Sequence, residues 1–352
     1  MISIRYLFAL SIALVACDRT TDRSLRNSPS LLTLDSVQLR ETDSLYLASP
    51  VHVTVSPSGA LFVSDTRNGH VLQFSADGTL LRRFGKRGEG PGELGTPMAT
   101  AMLGDSILAV ADVGRAQLAL FDVRSSAFLR STPLTGMPYT MKAVGDTILI
   151  GAVNPPSRTS LALWWPAADS VIHRGPLPGE YLEAWPLLAN HPFAAVAPLG
   201  DSILLGFTGH GPLFLTRWDG SIVDTVPVPA VRRRGVPSDI VQRFAKPLNN
   251  TEIAGMLSSL LAMHRLSSGE VAVFHLDLNF SGGSVTGDGF LSVLSKDLRQ
   301  ACVDARVQTS PDGRASVAFR GDTLFSVEQH IVSDMRAATY VKRYVIDTSH
   351  CR

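Results

Sequence analysis

The chain has 352 residues, 45% of them hydrophobic, and 32 Lys and Arg balance 31 Asp and Glu. So much apolar residue is enough for a large buried core. So even a charge balance excludes a basic surface that coats nucleic acid, and no nucleic-acid partner is expected. At the N-terminus, Arg5 precedes an apolar run from Tyr6 to Val15, interrupted only by Ser11. That is far short of the roughly 20 residues of a membrane-spanning helix. It has the make-up of the apolar region of a secretory signal.

The run closes in Leu14-Val15-Ala16-Cys17, which resembles the lipobox of bacterial lipoproteins. The resemblance implies a signal peptide over residues 1–17, with Cys17 lipidated as the first mature residue. It places the protein in the cell envelope, held to a membrane and facing the periplasm or the exterior. Residues 18–30 are polar and suit a flexible tether. Such a compartment permits disulfides. With Cys17 lipidated, Cys302 and Cys351 remain, as a disulfide pair or as two unpaired thiols; the pair is the expectation.

Beyond the tether one phrase recurs: GDSILAVAD from Gly104, GDTILIGAV from Gly145, GDSILLGFT from Gly200 and GDTLFSVEQ from Gly321. Each is a Gly-Asp turn followed by an apolar, largely β-branched run, the signature of a hairpin. SPSGALFVSD from Ser56 and SSGEVAVFH from Ser267 play the same part, which makes six units. A spacing of about 40–50 residues without helix inside the unit predicts propeller blades. The first unit shows four strands: Val51–Val55, Ala60–Ser64, His70–Phe74 and Leu80–Phe84.

The stretch FVSDTRNGHVLQFSADGTLLRRFGKRGEGPGEL resembles an NHL-type repeat of bacterial six-bladed β-propellers, through Asp65, Asn68, Val71, Phe74, Asp77-Gly78, Phe84-Gly85 and Gly90-Pro91-Gly92. Later units keep the strand rhythm without Asn68 or the glycine-rich tail. The expectation is an all-β, six-bladed propeller over residues 31–347. Blades two to five are placed at about 97–134, 139–177, 193–228 and 258–307. The last unit, from Ala315, has three strands of its own. The orphan strand Leu31–Leu39 is expected to complete it, because closure removes both free edges. Residues 348–352 form a tail. A helical insertion is predicted at about 229–257, with one helix from Ser238 to Pro247. A second opens at Thr251, its apolar stripe running through Ile253, Met256, Leu257, Leu260 and Leu261 and packing on the ring.

Gly90, Gly92 and Gly95 spell G-x-G-x-x-G. A dinucleotide loop must open a helix whose N-terminus receives the pyrophosphate. Here Thr96-Pro97 and another strand follow, so a linker between blades is expected. Asp65 and Asn68 are expected to bond turn backbone. No H-E-x-x-H or G-x-S-x-G occurs. No catalytic residue, metal ligand or cofactor is assigned. In a propeller, loops from outer to next inner strand and loops between second and third strands share one face. Arg67, Arg87, Arg115, Arg158, Arg232, Arg233 and Arg336 fall on them, and Tyr139, Tyr181 and Trp185 on adjoining linkers. The expected function is a lipid-anchored, monomeric binding module whose loop-rich face takes an anionic glycan or protein. The competing reading is a lactonase-like hydrolase or lyase with a divalent metal at the ring centre, for which His52 and His264 are the obvious inner-strand ligands.

Overall fold

Each Gly-Asp phrase places its glycine where the hairpin needs a left-handed residue, as at Gly104 (φ +56°) and Gly321 (φ +54°). The apolar run after it becomes the second strand of a sheet. The computed structural model describes residues 28–168, 170–189, 193–209, 211–227, 232–236, 250–281, 284–310, 315–333 and 336–351. Cys17, most of the tether and the helix expected from Ser238 to Pro247 lie outside the described residues.

The N-terminal strand is β1 (Ser30–Gln38). Blade one is β2 (Pro50–Val55), β3 (Leu61–Asp65), β4 (His70–Phe74) and β5 (Leu80–Phe84). Blade two is β6 (Pro97–Leu103), β7 (Ile107–Asp112), β8 (Gln117–Asp122) and β9 (Phe128–Pro133). Blade three is β10 (Met137–Val144), β11 (Thr147–Asn154), β12 (Thr159–Trp164) and β13 (Ile172–Arg174). Blade four is β14 (Ala194–Leu199), β15 (Ser202–Phe207), β16 (Pro212–Arg217) and β17 (Ile222–Pro227). Blade five is β18 (Ser258–Arg265), β19 (Val271–Ser281), β20 (Ser284–Leu294) and β21 (Ala301–Val307). Blade six runs outward as β22 (Ser316–Arg320), β23 (Thr323–Ser333), β24 (Arg336–Asp347) and finally β1. All six sheets are antiparallel, and their inner strands neighbour one another around an axial channel.

Alternation along the strands sends apolar side chains to both faces of each sheet. The result is six apolar clusters, each filling the wedge between two neighbouring blades. Between blades one and two, Phe62, Phe84, Phe121 and Phe128 form a chain of ring contacts at 5.8, 6.1 and 5.7 Å. The first three are essentially inaccessible, and each such burial contributes about 1.5–3 kcal/mol.

Ring closure has two fastenings. β1 pairs antiparallel with β24, from Ser30 opposite Asp347 to Gln38 opposite Tyr340, and Asp35 pairs with Arg343. Cys302 on β21 is bonded to Cys351 of the tail, Cα atoms 5.3 Å apart, which ties the C-terminus to blade five. Of the predicted insertion, α3 (Asn250–Met256) is described, and it is shorter than its stripe. Ile253 and Leu257 do pack on the ring beside Phe207. Leu260 and Leu261 belong to β18 instead, because from Ser258 onward the backbone pairs with β19. Two short helices that the pattern did not announce, α1 (Gly179–Glu183) and α2 (Trp185–Leu188), join blades three and four.

Candidate functional site

The G-x-G-x-x-G segment is a closed linker. Leu94 N–H donates to Lys86 O at 2.8 Å, and Glu93 Oε2 accepts from Gly90 N–H at 2.8 Å. The Gly95 and Thr96 amides are taken by Asp112, at 2.9 and 2.7 Å. A phosphate needs such amides free. Here carboxylates occupy them, and β6 follows in place of a helix. The Gly90 amide and then Lys86 hold the Glu93 carboxyl below its usual range. Asp65 plays the part of Asp112 one blade earlier. It accepts from the amides of Ser49, Arg67 and Asn68 at 3.2, 2.9 and 3.0 Å, and from Ala48.

Six of the seven arginines fall on segments between strands on one side of the ring, and they do different things there. Arg87 donates to Thr66 O at 2.7 Å and Arg67 O at 2.8 Å. Arg115 donates to Gly90 O at 2.8 Å and Glu93 O at 3.1 Å. Arg233 donates to Gly211 O at 3.1 Å and Phe207 O at 2.6 Å, and burial lowers it to about 10. These three guanidiniums brace loop backbone. Arg232 lies over the Phe290 ring at 5.2 Å, its amide donating to Asp304. Arg67 and Arg158 are exposed, and neither side chain has a polar partner among the described residues. Arg336 opens β24 opposite Ser333. Of the aromatics, Tyr181 is core: it is 1% exposed, between Trp185 at 6.2 Å and Phe207 at 5.0 Å, and burial raises its hydroxyl.

Tyr139 leads to what the sequence reading missed. On the same side of the ring a cavity of about 360 Å³ opens at the axis. Its lining is drawn from every blade: His52 from blade one, Met98 from blade two, Tyr139 from blade three, Phe193 at the entry to blade four, Leu261 and Leu276 from blade five, and Val317 from blade six. Tyr139 and Phe193 pack at 4.4 Å. All but Leu276, which lies on the second strand β19 opposite Ser259, sit at or near the starts of inner strands. The topology brings all such starts to one mouth, and aligning the inner strands would have found them.

Below the mouth the polar groups are few. His52 Nδ1 lies 3.2 Å from Thr100 Oγ1 and accepts from Thr100 N–H at 3.3 Å. Burial and then the nearby Lys142 charge push it down to about 3. His264 Nε2 lies 3.1 Å from Gly321 O, with its ring stacked on Phe319 at 5.4 Å. Burial and then Lys142 push it to about 4. Among the described residues no three His, Cys, Asp or Glu side chains come together as metal ligands. Among the described residues, each of the two imidazoles has a hydrogen-bond partner at one ring nitrogen.

Fold and site together define a six-bladed β-propeller with an apolar pocket on its axis. No protein-family model and no curated protein matches the chain. Solved structures do. A member of the DUF4221 family from Bacteroides vulgatus superposes with a TM-score of 0.61 at 10% identity, over 92% of this chain and 99% of its own. A Bacteroides fragilis protein, described by name as exported, gives 0.56 at 10% identity over 93% and 96%. An inactive variant of virginiamycin B lyase from Staphylococcus aureus, solved with quinupristin, gives 0.51 at 9% identity over 90% and 99%. At these identities the likeness is one of fold.

Proposed function

We propose that this chain is a lipid-anchored, extracytoplasmic binding module of NHL-like ancestry that takes its ligand at the loop-rich face. One observation carries the reading: the axial cavity to which all six blades contribute. A concave, mostly apolar pocket with a few polar groups at its edge is the usual form of a ligand site. Its aromatic and aliphatic lining selects a ligand with an apolar part. The exposed Arg67 and Arg158 on the surrounding loops favour one that is also anionic. Binding of the charged part should weaken with added salt.

Anilinonaphthalene sulfonate, an apolar aromatic anion, tests the site directly. The native full chain should enhance its fluorescence with one-to-one stoichiometry. Met98→Trp, which puts an indole into the cavity, should abolish the enhancement without changing the melting temperature. No enhancement, or one that Met98→Trp leaves intact, overturns the reading. The anchor is tested separately: Cys17→Ser should free the protein from the membrane fraction, and unchanged fractionation refutes lipidation.

A further inference from the structure

The axial cavity is mostly apolar, yet the polar atoms of its lining lack partners. His52 of blade one, Tyr139 of blade three and Ser259 of blade five all line it. His52 Nδ1 accepts from the Thr100 amide, which leaves the imidazole proton on Nε2. That Nε2–H, the Tyr139 hydroxyl and the Ser259 hydroxyl have no hydrogen bond among the described residues. Ser259 is 6% exposed. So is Ser316 of blade six, another lining residue, and its Oγ is buried with no partner among the described residues. Buried polar groups are ordinarily bonded, because each bond left unmade costs the desolvation of the group.

Charge and spacing narrow what could meet these groups. The lining contains no Asp, Glu, Lys or Arg, and its imidazole, accepting from an amide, is neutral. A charged group drawn into the cavity would therefore be buried without a counterion. The polar groups are also spread around the axis. They come from blades one, three and five, with Met98 of blade two, Phe193 at the entry to blade four and Val317 of blade six between them. A chain with a single polar head reaches one such group. A ring with oxygens on separate edges reaches two or more, and its faces suit the packed Tyr139 and Phe193 rings.

We infer that the cavity binds an uncharged ring compound with hydroxyl or carbonyl oxygens on separate edges, held by His52 Nε2–H and the hydroxyls of Tyr139 and Ser259. This rests on the binding reading above and names the part of the ligand that enters the ring. An anionic group on the same ligand stays outside, with Arg67 and Arg158 on the loops. The apolar lining supplies affinity. The polar groups set the choice among apolar ligands, because an analogue without oxygens leaves them unpaired.

The probes are a naphthalene diol with one hydroxyl on each ring and its dimethyl and dicarboxylate counterparts, titrated against the full chain at pH 7 by their own fluorescence. In about 0.5 M salt, which screens the exposed arginines, the diol should bind at least about tenfold tighter than the dicarboxylate. At most one of its two hydroxyls sits on His52, so the other bonds Tyr139 or Ser259. Tyr139→Phe combined with Ser259→Ala should therefore weaken the diol at least about threefold and leave the dimethyl compound within about twofold. If that variant does not fold, the ratio of diol to dicarboxylate affinity in the wild type decides. A dicarboxylate that binds as tightly as the diol, or a diol indifferent to the double substitution, overturns the inference and leaves the apolar cavity reading standing. Failure of both the diol and the dimethyl compound to bind the wild type overturns the cavity reading itself.

Discussion

Replacing Cys302 and Cys351 together with alanine removes a covalent link between positions 49 residues apart. On chain-entropy grounds a loop of that size restricts the unfolded ensemble by about 4 kcal/mol at 25 °C. Cys302 is 1% exposed in the wedge between blades five and six. Truncating it leaves a small void, worth about 1 kcal/mol more. The β1–β24 pairing is untouched, so the variant should still close its ring, with roughly 4–5 kcal/mol less stability. Urea unfolding followed by tryptophan fluorescence measures this as a lower midpoint. Wild type under reducing conditions should approach the variant. A midpoint that does not move, or two alkylatable thiols in the unreduced native protein, refutes the reasoning.

Deleting residues 18–38 removes β1 and bares the edge of β24; the chain should lose more stability than the alanine pair does and should aggregate, and a soluble product with unchanged melting contradicts the closure. Arg115→Ala frees the carbonyls of Gly90 and Glu93 and should cost about 1–3 kcal/mol, with protease cleavage appearing between Lys86 and Glu93; continued resistance there argues against the brace. Stability should also fall as pH drops from about 6.5 toward 4. His52 and His275, both lowered to about 3 chiefly by burial, stay neutral when folded but gain protons when unfolded. His275→Leu should flatten that slope, and an identical slope in the variant counts against it.

The ring was legible in the sequence because each blade repeats one local rule, a Gly-Asp turn with an apolar run behind it. The lone strand before Pro50 and the three-stranded last unit each lacked what the other had. The site was less legible for a physical reason. Leu261, Leu276 and Val317 have the same chemistry whether they fill a wedge between blades or line an open mouth; only the curvature of the ring separates the two. The arginines illustrate the converse. Loop position gives the side of the ring for Arg87, Arg115 and Arg233, but their partners are backbone carbonyls, which carry no side-chain signal. Tyr181 sat on a linker by its position in the sequence, yet α1 turns it inward. A five-residue helix leaves too short a periodic trace to be read beforehand.

The place where β1 begins has a directional consequence. Ser30 pairs with Asp347 beside the Gly321–Asp322 turn, where Ile346 N–H donates to Asp322 O at 2.9 Å. That is the hairpin-turn side of the disc, opposite the mouth of the cavity. A lipid on Cys17 would suspend the disc from this side by a leash of at most about 45 Å. The pocket would then look away from the bilayer, toward whatever diffuses past. A leash entering on the other side would have turned the mouth against the lipid headgroups. With a lipid on Cys17, the strand that closes the ring would also set which way the protein faces.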